Sequence, residues 1–158
     1  MATRGIIAVA RAGDGCWRGR YAHWDNYPER IVPVLGRLVE RDGATKVVET
    51  LINNNQSWSV VDDKAKLEDD PLLEGYDDGL IVGYGRIHLD LEPNDPSSWF
   101  TEDDIELAWT EWVYVIHHSG IEVMKVVKND EGNDVAVPDK FHLWEEISNL
   151  PHPYMVGA

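Results

Sequence analysis

Two kinds of hydrophobic pattern open the chain. Gly5-Ile6-Ile7-Ala8-Val9-Ala10 is a continuous apolar run, as expected of a strand buried on both faces. Cys16 to Trp24 alternates instead, with Trp17, Gly19, Tyr21 and His23 on one side and Arg18, Arg20 and Trp24 on the other. Ala12-Gly13-Asp14-Gly15 between them tolerates positive φ, so the pair reads as a hairpin. From Pro28 the period lengthens: Ile31, Val32, Leu35, Leu38 and Val39 recur at helical spacing up to Asp42, and Gly43 stops the helix. Pro33 is the obstacle to that helix, since an interior proline kinks it. Val47, Val48, Leu51 and Ile52 predict a second helix over 44–55.

Trp58, Val60 and Val61 suggest a short strand, and Leu80 to Tyr84 another, weakened by Gly79, Gly83 and Gly85. Thr101 followed by Glu102-Asp103-Asp104 reads as the N-cap and acidic first turn of a short helix. The clearest β signal comes next. Trp112, Tyr114 and Ile116 alternate with Val113, Val115 and His117; His118-Ser119-Gly120 turns the chain, and Ile121, Val123, Val126 and Val127 form the return strand. Val135-Ala136-Val137 adds an edge strand and Phe141 to Leu150 a terminal helix. The expected fold is α+β: residues 1–158 as a single domain, an antiparallel sheet built from the N- and C-terminal hairpins, and two central helices packed on one face.

Composition narrows the class. A chain of 158 residues, 43% hydrophobic with seven tryptophans, folds around a real core. One cysteine, Cys16, excludes an intrachain disulfide and a cysteine metal cluster, and its place in the strand suggests a small core residue. No apolar run has the length of a membrane span, and the start lacks the order of a signal peptide, so a cytoplasmic protein is expected. The net charge of −15 is uneven. Residues 1–61 carry eight Arg or Lys against six Asp or Glu; 62–78 carry eight acids and two lysines; 90–106 carry seven acids and no base. Duplex nucleic acid is an unfavourable ligand for such a surface, whereas the two acidic segments suit a host protein with a basic surface, or are simply solvated.

Candidate chemistry concentrates between Thr3 and Pro28. His23 and Asp25, two apart, are the residue types of a general base held by a carboxylate, beside a helix N-terminus that favours an anion. The plainer reading gives His23 to the rim of the sheet and lets Asp25 or Asn26 cap the helix. Adding His117 or His118 to His23 supplies metal-ligand types, although neither a metal nor a cofactor is expected. Arg4 binds an anion or pairs with an acid such as Glu111. An exposed nucleophile at Thr3 needs cleavage beyond Met1. A few tryptophans at strand ends can stack on a ligand, the rest belonging to the core. The candidate binding residues are therefore Arg4, Tyr21, His23, Asp25 and Tyr27. No dinucleotide glycine motif, phosphate loop, His-Glu-x-x-His or Gly-x-Ser-x-Gly is present, which removes the common nucleotide-binding, zinc-protease and hydrolase classes.

The start Thr3-Arg4-Gly5, the segment Tyr21-Ala22-His23-Trp24-Asp25-Asn26-Tyr27-Pro28 and the strand Glu111-Trp112-Val113-Tyr114-Val115-Ile116-His117 together resemble a family of small uncharacterised proteins from bacteriophages and actinobacteria. Its members carry Thr-Arg-Gly, then Tyr-Asn-His-Phe-Asp-Ser-Tyr-Pro, then Glu-Tyr/Trp-Ala-Tyr-Val-Ile-Asp; Val113 and His117 depart from that pattern. The resemblance covers both ends of the chain. It implies a phage or actinobacterial source and a site in these segments, not a reaction; taken with the acidic segments, it points to a phage-encoded binding or interaction protein acting on a host or defence component. The alternative is a small anionic-ligand-binding protein or a hydrolase with a pocket around Arg4, His23 and Asp25.

Overall fold

The computed structural model describes residues 3–11, 16–65, 79–88, 94–95, 98–105 and 109–149. Among them nine strands form one mixed sheet. The strands are β1 (Gly5–Ala10), β2 (Trp17–Ala22), β3 (Ser57–Val61), β4 (Leu80–Ile81), β5 (Gly85–His88), β6 (Phe100–Thr101), β7 (Trp112–Ile116), β8 (Gly120–Lys128) and β9 (Asp134–Leu143). The helices are α1 (Pro28–Asp42), α2 (Ala44–Val48), which runs on as a π-helical segment Glu49–Asn53, and α3 (Trp144–Asn149). The sheet order is β4-β5-β3-β2-β1-β7-β8-β9, with β6 on the other half of β2's free edge.

Both expected hairpins form, but the sheet is mixed rather than antiparallel and larger than two hairpins. β1 and β7 run parallel, Gly5 opposite Trp112 through Val9 opposite Ile116, so the two hairpins meet along a parallel seam. The unbroken apolar run of β1 suits that central position, because strands buried on both faces lose the need for polar alternation. β2 and β3 are also parallel, joined across α1 and α2. The expected strand over 80–84 divides at Val82-Gly83-Tyr84 into β4 and β5, the glycines serving as the turn. β9 is ten residues long and takes up Phe141 to Leu143, leaving the terminal helix only Trp144–Asn149. Phe100 and Thr101 pair with β2, and the helix expected after Thr101 lies partly outside the described residues.

Hydrophobic side chains fill both faces. Ile7, Ala22, Trp58, Tyr114, Ile116 and Val123 face α1, α2 and α3 through Ile31, Leu35, Leu38, Leu51 and Ile147. Ile6, Ala8, Trp17, Val113 and Val115 form a second cluster covered by Ile105 and Phe100. Cys16 lies outside both, half-buried and hydrogen-bonded to Glu102. α1 continues through Pro33 without a break, six buried residues on its apolar stripe compensating for the one lost N–H. Gly43, at φ 86, ends α1 by donating to the Val39 carbonyl and starts α2 by accepting from the Val47 N–H. The end of the π-helical segment leaves carbonyls without helical partners, and side chains take them: Asn55 Nδ2 donates to Thr50 O (2.7 Å), Trp58 Nε1 to Leu51 O (2.8 Å) and Arg20 Nε to Ile52 O (2.7 Å).

The C-terminal end of α1 is tied to the β4–β5 turn. Asp42 accepts from Arg41 Nε and Nη2 at 3.0 and 2.8 Å and from the Tyr84 hydroxyl, while Arg41 also donates to Gly83 O. These donors, Arg41 first, hold the Asp42 carboxyl down to about 2. A carboxylate whose folded pKa is depressed stabilises the fold above its ordinary value and loses that contribution as pH falls through the folded one. Acid titration is therefore expected to weaken the fold between about pH 4 and 2, and Asp42→Asn to flatten that part of the stability–pH curve. Equal acid slopes for the two proteins would refute the linkage. Among the described residues no helix is long and apolar enough to cross a membrane.

Candidate functional site

Register brings three distant segments to one end of the sheet. Gly5 lies opposite Ala22 on one side and Trp112 on the other, so Arg4, His23 and Glu111 are neighbours at the N-terminal end of β1. Main-chain bonds lock them: Glu111 N–H donates to Arg4 O and Asn26 N–H to Thr3 O, each at 3.0 Å. Asn26 is the buried hub of this end. Its Nδ2 donates to the carbonyls of Thr3, Ala22 and Trp24, and its own carbonyl accepts the Tyr114 hydroxyl, whose pKa burial drives far up. Gly5 has no room for a Cβ, which would stand 2.9 Å from that of Asn26.

Side chains of this end make a continuous strip. The Arg4 guanidinium sits 5.7 Å from the centre of the Trp109 ring and bonds the Tyr21 hydroxyl. That hydroxyl lies 2.6 Å from His23 Nδ1, and the His23 ring meets Trp24 edge-on at 4.6 Å. Burial pushes the Tyr21 pKa up, and the Arg4 charge and hydrogen bond pull against it. Trp109 is 73% exposed and Trp24 46%. Trp109 also holds φ 50 and Asp25 φ 59, a left-handed backbone that bulky residues adopt only under tertiary constraint.

Of the five sequence candidates, the strip thus unites Arg4, Tyr21 and His23. Asp25 is exposed; its backbone carbonyl accepts Arg30 Nη1, and among the described residues no hydrogen bond joins it to His23. Neither Asp25 nor Asn26 caps α1. The N-cap is Tyr27, without a side-chain cap bond, its carbonyl accepting from Arg30 and Ile31 N–H. A capping side chain at 25 or 26 is precluded because Asn26 is drawn inward to bind three carbonyls and Asp25 is turned outward at positive φ. Arg4 makes no ion pair with Glu111 among the described residues; their contact is main-chain only. His117 and His118 follow Ile116, whose partner is Val9, so they stand at the other end of β1 from His23. Among the described residues no group of three or more His, Cys, Asp or Glu side chains could hold a metal ion.

Trp24 and Trp109 are the site residues that sequence reasoning did not single out. Trp24 adjoins His23 and was open to inspection; Trp109 reaches Arg4 only through the parallel β1–β7 pairing, which no local pattern announces. No protein-family model, curated protein or solved structure matches this chain.

Proposed function

We propose that this chain is a binding protein that presents the strip Trp109–Arg4–Tyr21–His23–Trp24 to a protein partner. The carrying observation is the exposure of two tryptophans beside an arginine and a tyrosine at one end of the sheet, since Trp, Tyr and Arg dominate interface hot spots. The acidic segments 62–78 and 90–106 favour a partner with a basic surface through steering and charge complementarity. In this reading the protein is phage-encoded and engages a host or defence component in the bacterial cytoplasm, which the resemblance to the phage and actinobacterial family supports. The alternative, an anionic-ligand pocket or hydrolase around Arg4, His23 and Asp25, retains Arg4 and His23 but not the base–carboxylate pair that chemistry would need.

Affinity capture from bacterial host lysate tests the proposal. A specifically retained host protein is expected, lost with Trp24→Ala/Trp109→Ala and weakened, with steeper salt sensitivity removed, by Asp103→Lys/Asp104→Lys. Each tryptophan should contribute about 2 kcal/mol of binding, with little change in melting temperature because both rings are exposed. Undiminished capture by the double tryptophan variant would refute the strip as the binding surface.

A further inference from the structure

The opposite end of the sheet carries a second concave surface. Outside the C-terminal ends of the parallel strands β1 and β7 lie two hollows of about 280 and 500 Å³. They share Val9, Val48 and Asn53 as lining and so form one groove. Its combined size falls within the range of small-ligand sites, and its place, beyond the carboxyl ends of parallel strands, is where open sheets with helical crossovers bind ligands. One wall is the π-helical segment through Glu49 and Asn53; such segments recur at functional sites.

The two lobes differ in chemistry. The first is lined by Arg11, whose Nη2 pairs with Glu102 Oε1 at 3.1 Å, and by Arg18, which supplies its positive charge. Arg18 is exposed yet oriented: Nη2 donates to Asn53 Oδ1 at 3.3 Å, and its guanidinium stands 4.6 Å from the centre of the Trp99 ring. It meets no carboxylate among the described residues. Buried Arg20 shares that Trp99 ring at 3.3 Å, so two guanidinium charges converge there, and the Arg18 charge adds to burial in lowering the Arg20 pKa. A guanidinium fork matches a phosphate bidentately. The second lobe offers hydroxyl-binding groups over an apolar floor: Thr45, the Glu49 carboxylate and His118, above Val9 and Ile116.

We infer that this groove binds a hydroxyl-bearing phosphate monoester, its phosphate on Arg18 and its sugar hydroxyls on Thr45, Glu49 and His118. The lobes are contiguous, so one sugar phosphate spans both.

Calorimetric titration of the intact protein with ribose 5-phosphate, inorganic phosphate and ribose tests this. Ribose 5-phosphate should bind saturably, at least about tenfold more tightly than inorganic phosphate or ribose alone. Arg18→Gln should weaken it about tenfold or more, with the melting temperature retained because Arg18 is exposed. Thr45→Ala, on the other lobe, should weaken ribose 5-phosphate while leaving inorganic phosphate unchanged. The strip variant Trp24→Ala/Trp109→Ala should leave all three titrations unaltered, separating this site from the proposed protein-binding surface. No saturation by ribose 5-phosphate up to about 10 mM, or binding that survives both Arg18→Gln and Thr45→Ala, would overturn the inference.

Discussion

Trp58→Ala is expected to destabilise the protein by about 3–5 kcal/mol, a large part of the 5–15 kcal/mol typical of a domain. Trp58 is the largest fully buried side chain, 0% exposed, in the cluster between the helices and the sheet. Its removal leaves a cavity under Leu51 and Ile52 and strips the Leu51 carbonyl of its Nε1 donor. β3 also joins β2 at this residue, where Ala22 pairs with Trp58 and His23 N–H donates to its carbonyl. Trp58→Phe should retain most of the apolar contact and cost only about 1–3 kcal/mol, chiefly for the unpaired carbonyl. Urea unfolding followed by circular dichroism measures both. Equal losses for Ala and Phe would show that the hydrogen bond, rather than the packing, dominates.

Arg20→Ala is expected to be nearly as severe, again about 3–5 kcal/mol. Arg20 has no exposed surface, and it connects three chain segments: Nε to Ile52 O, Nη1 to both the carbonyl and hydroxyl of Ser98 (3.3 and 2.7 Å), and its plane over Trp99. Burial pulls its pKa down to about 10, so it stays charged at neutral pH. Alanine orphans two carbonyls and removes the nearer of the two guanidinium groups on Trp99, leaving Arg18 at 4.6 Å. Arg20→Lys keeps the charge but not the fork, so it too should destabilise, by less, and free the 98–101 segment. Loss of β6 pairing reads this out through hydrogen exchange at Arg18 and Gly19, which lie opposite Thr101 and Phe100. Unchanged exchange there in Arg20→Ala would show that the β6 contact stands without Arg20.

Local periodicity made α1, both hairpins and β3 legible, since each is specified by residues within one element. The limits of α1 agree with Pro28 and Gly43 as start and stop signals. The parallel β1–β7 seam was not legible, because pairing between residues so far apart leaves no trace in either strand beyond apolarity. The same gap hid Trp109 and drew His23 and His117 together on paper, although the fold sets them at opposite ends of β1. The capping expectation at Asp25 and Asn26 rested on residue type. Asn26 instead satisfies buried carbonyls, a tertiary demand that overrides helix-end preference. Arg20, read only as one face of an alternating strand, proved to be a core residue because the π-helical end exposes a carbonyl that only a long donor reaches.

The parallel seam has a consequence for the nascent chain. β1 leaves the ribosome well before its partner β7, which is made about a hundred residues later, roughly 5–20 seconds of translation. Throughout that interval β1 has only β2 as a strand partner, and the main-chain N–H and C=O groups along its second edge are unpaired. Vectorial synthesis therefore holds the half-made protein in an adhesive state that ends only when the C-terminal hairpin docks. Chaperone dependence and sensitivity to translation speed in this protein should accordingly be governed by the arrival of residues 112–116, not by the stability of the finished fold.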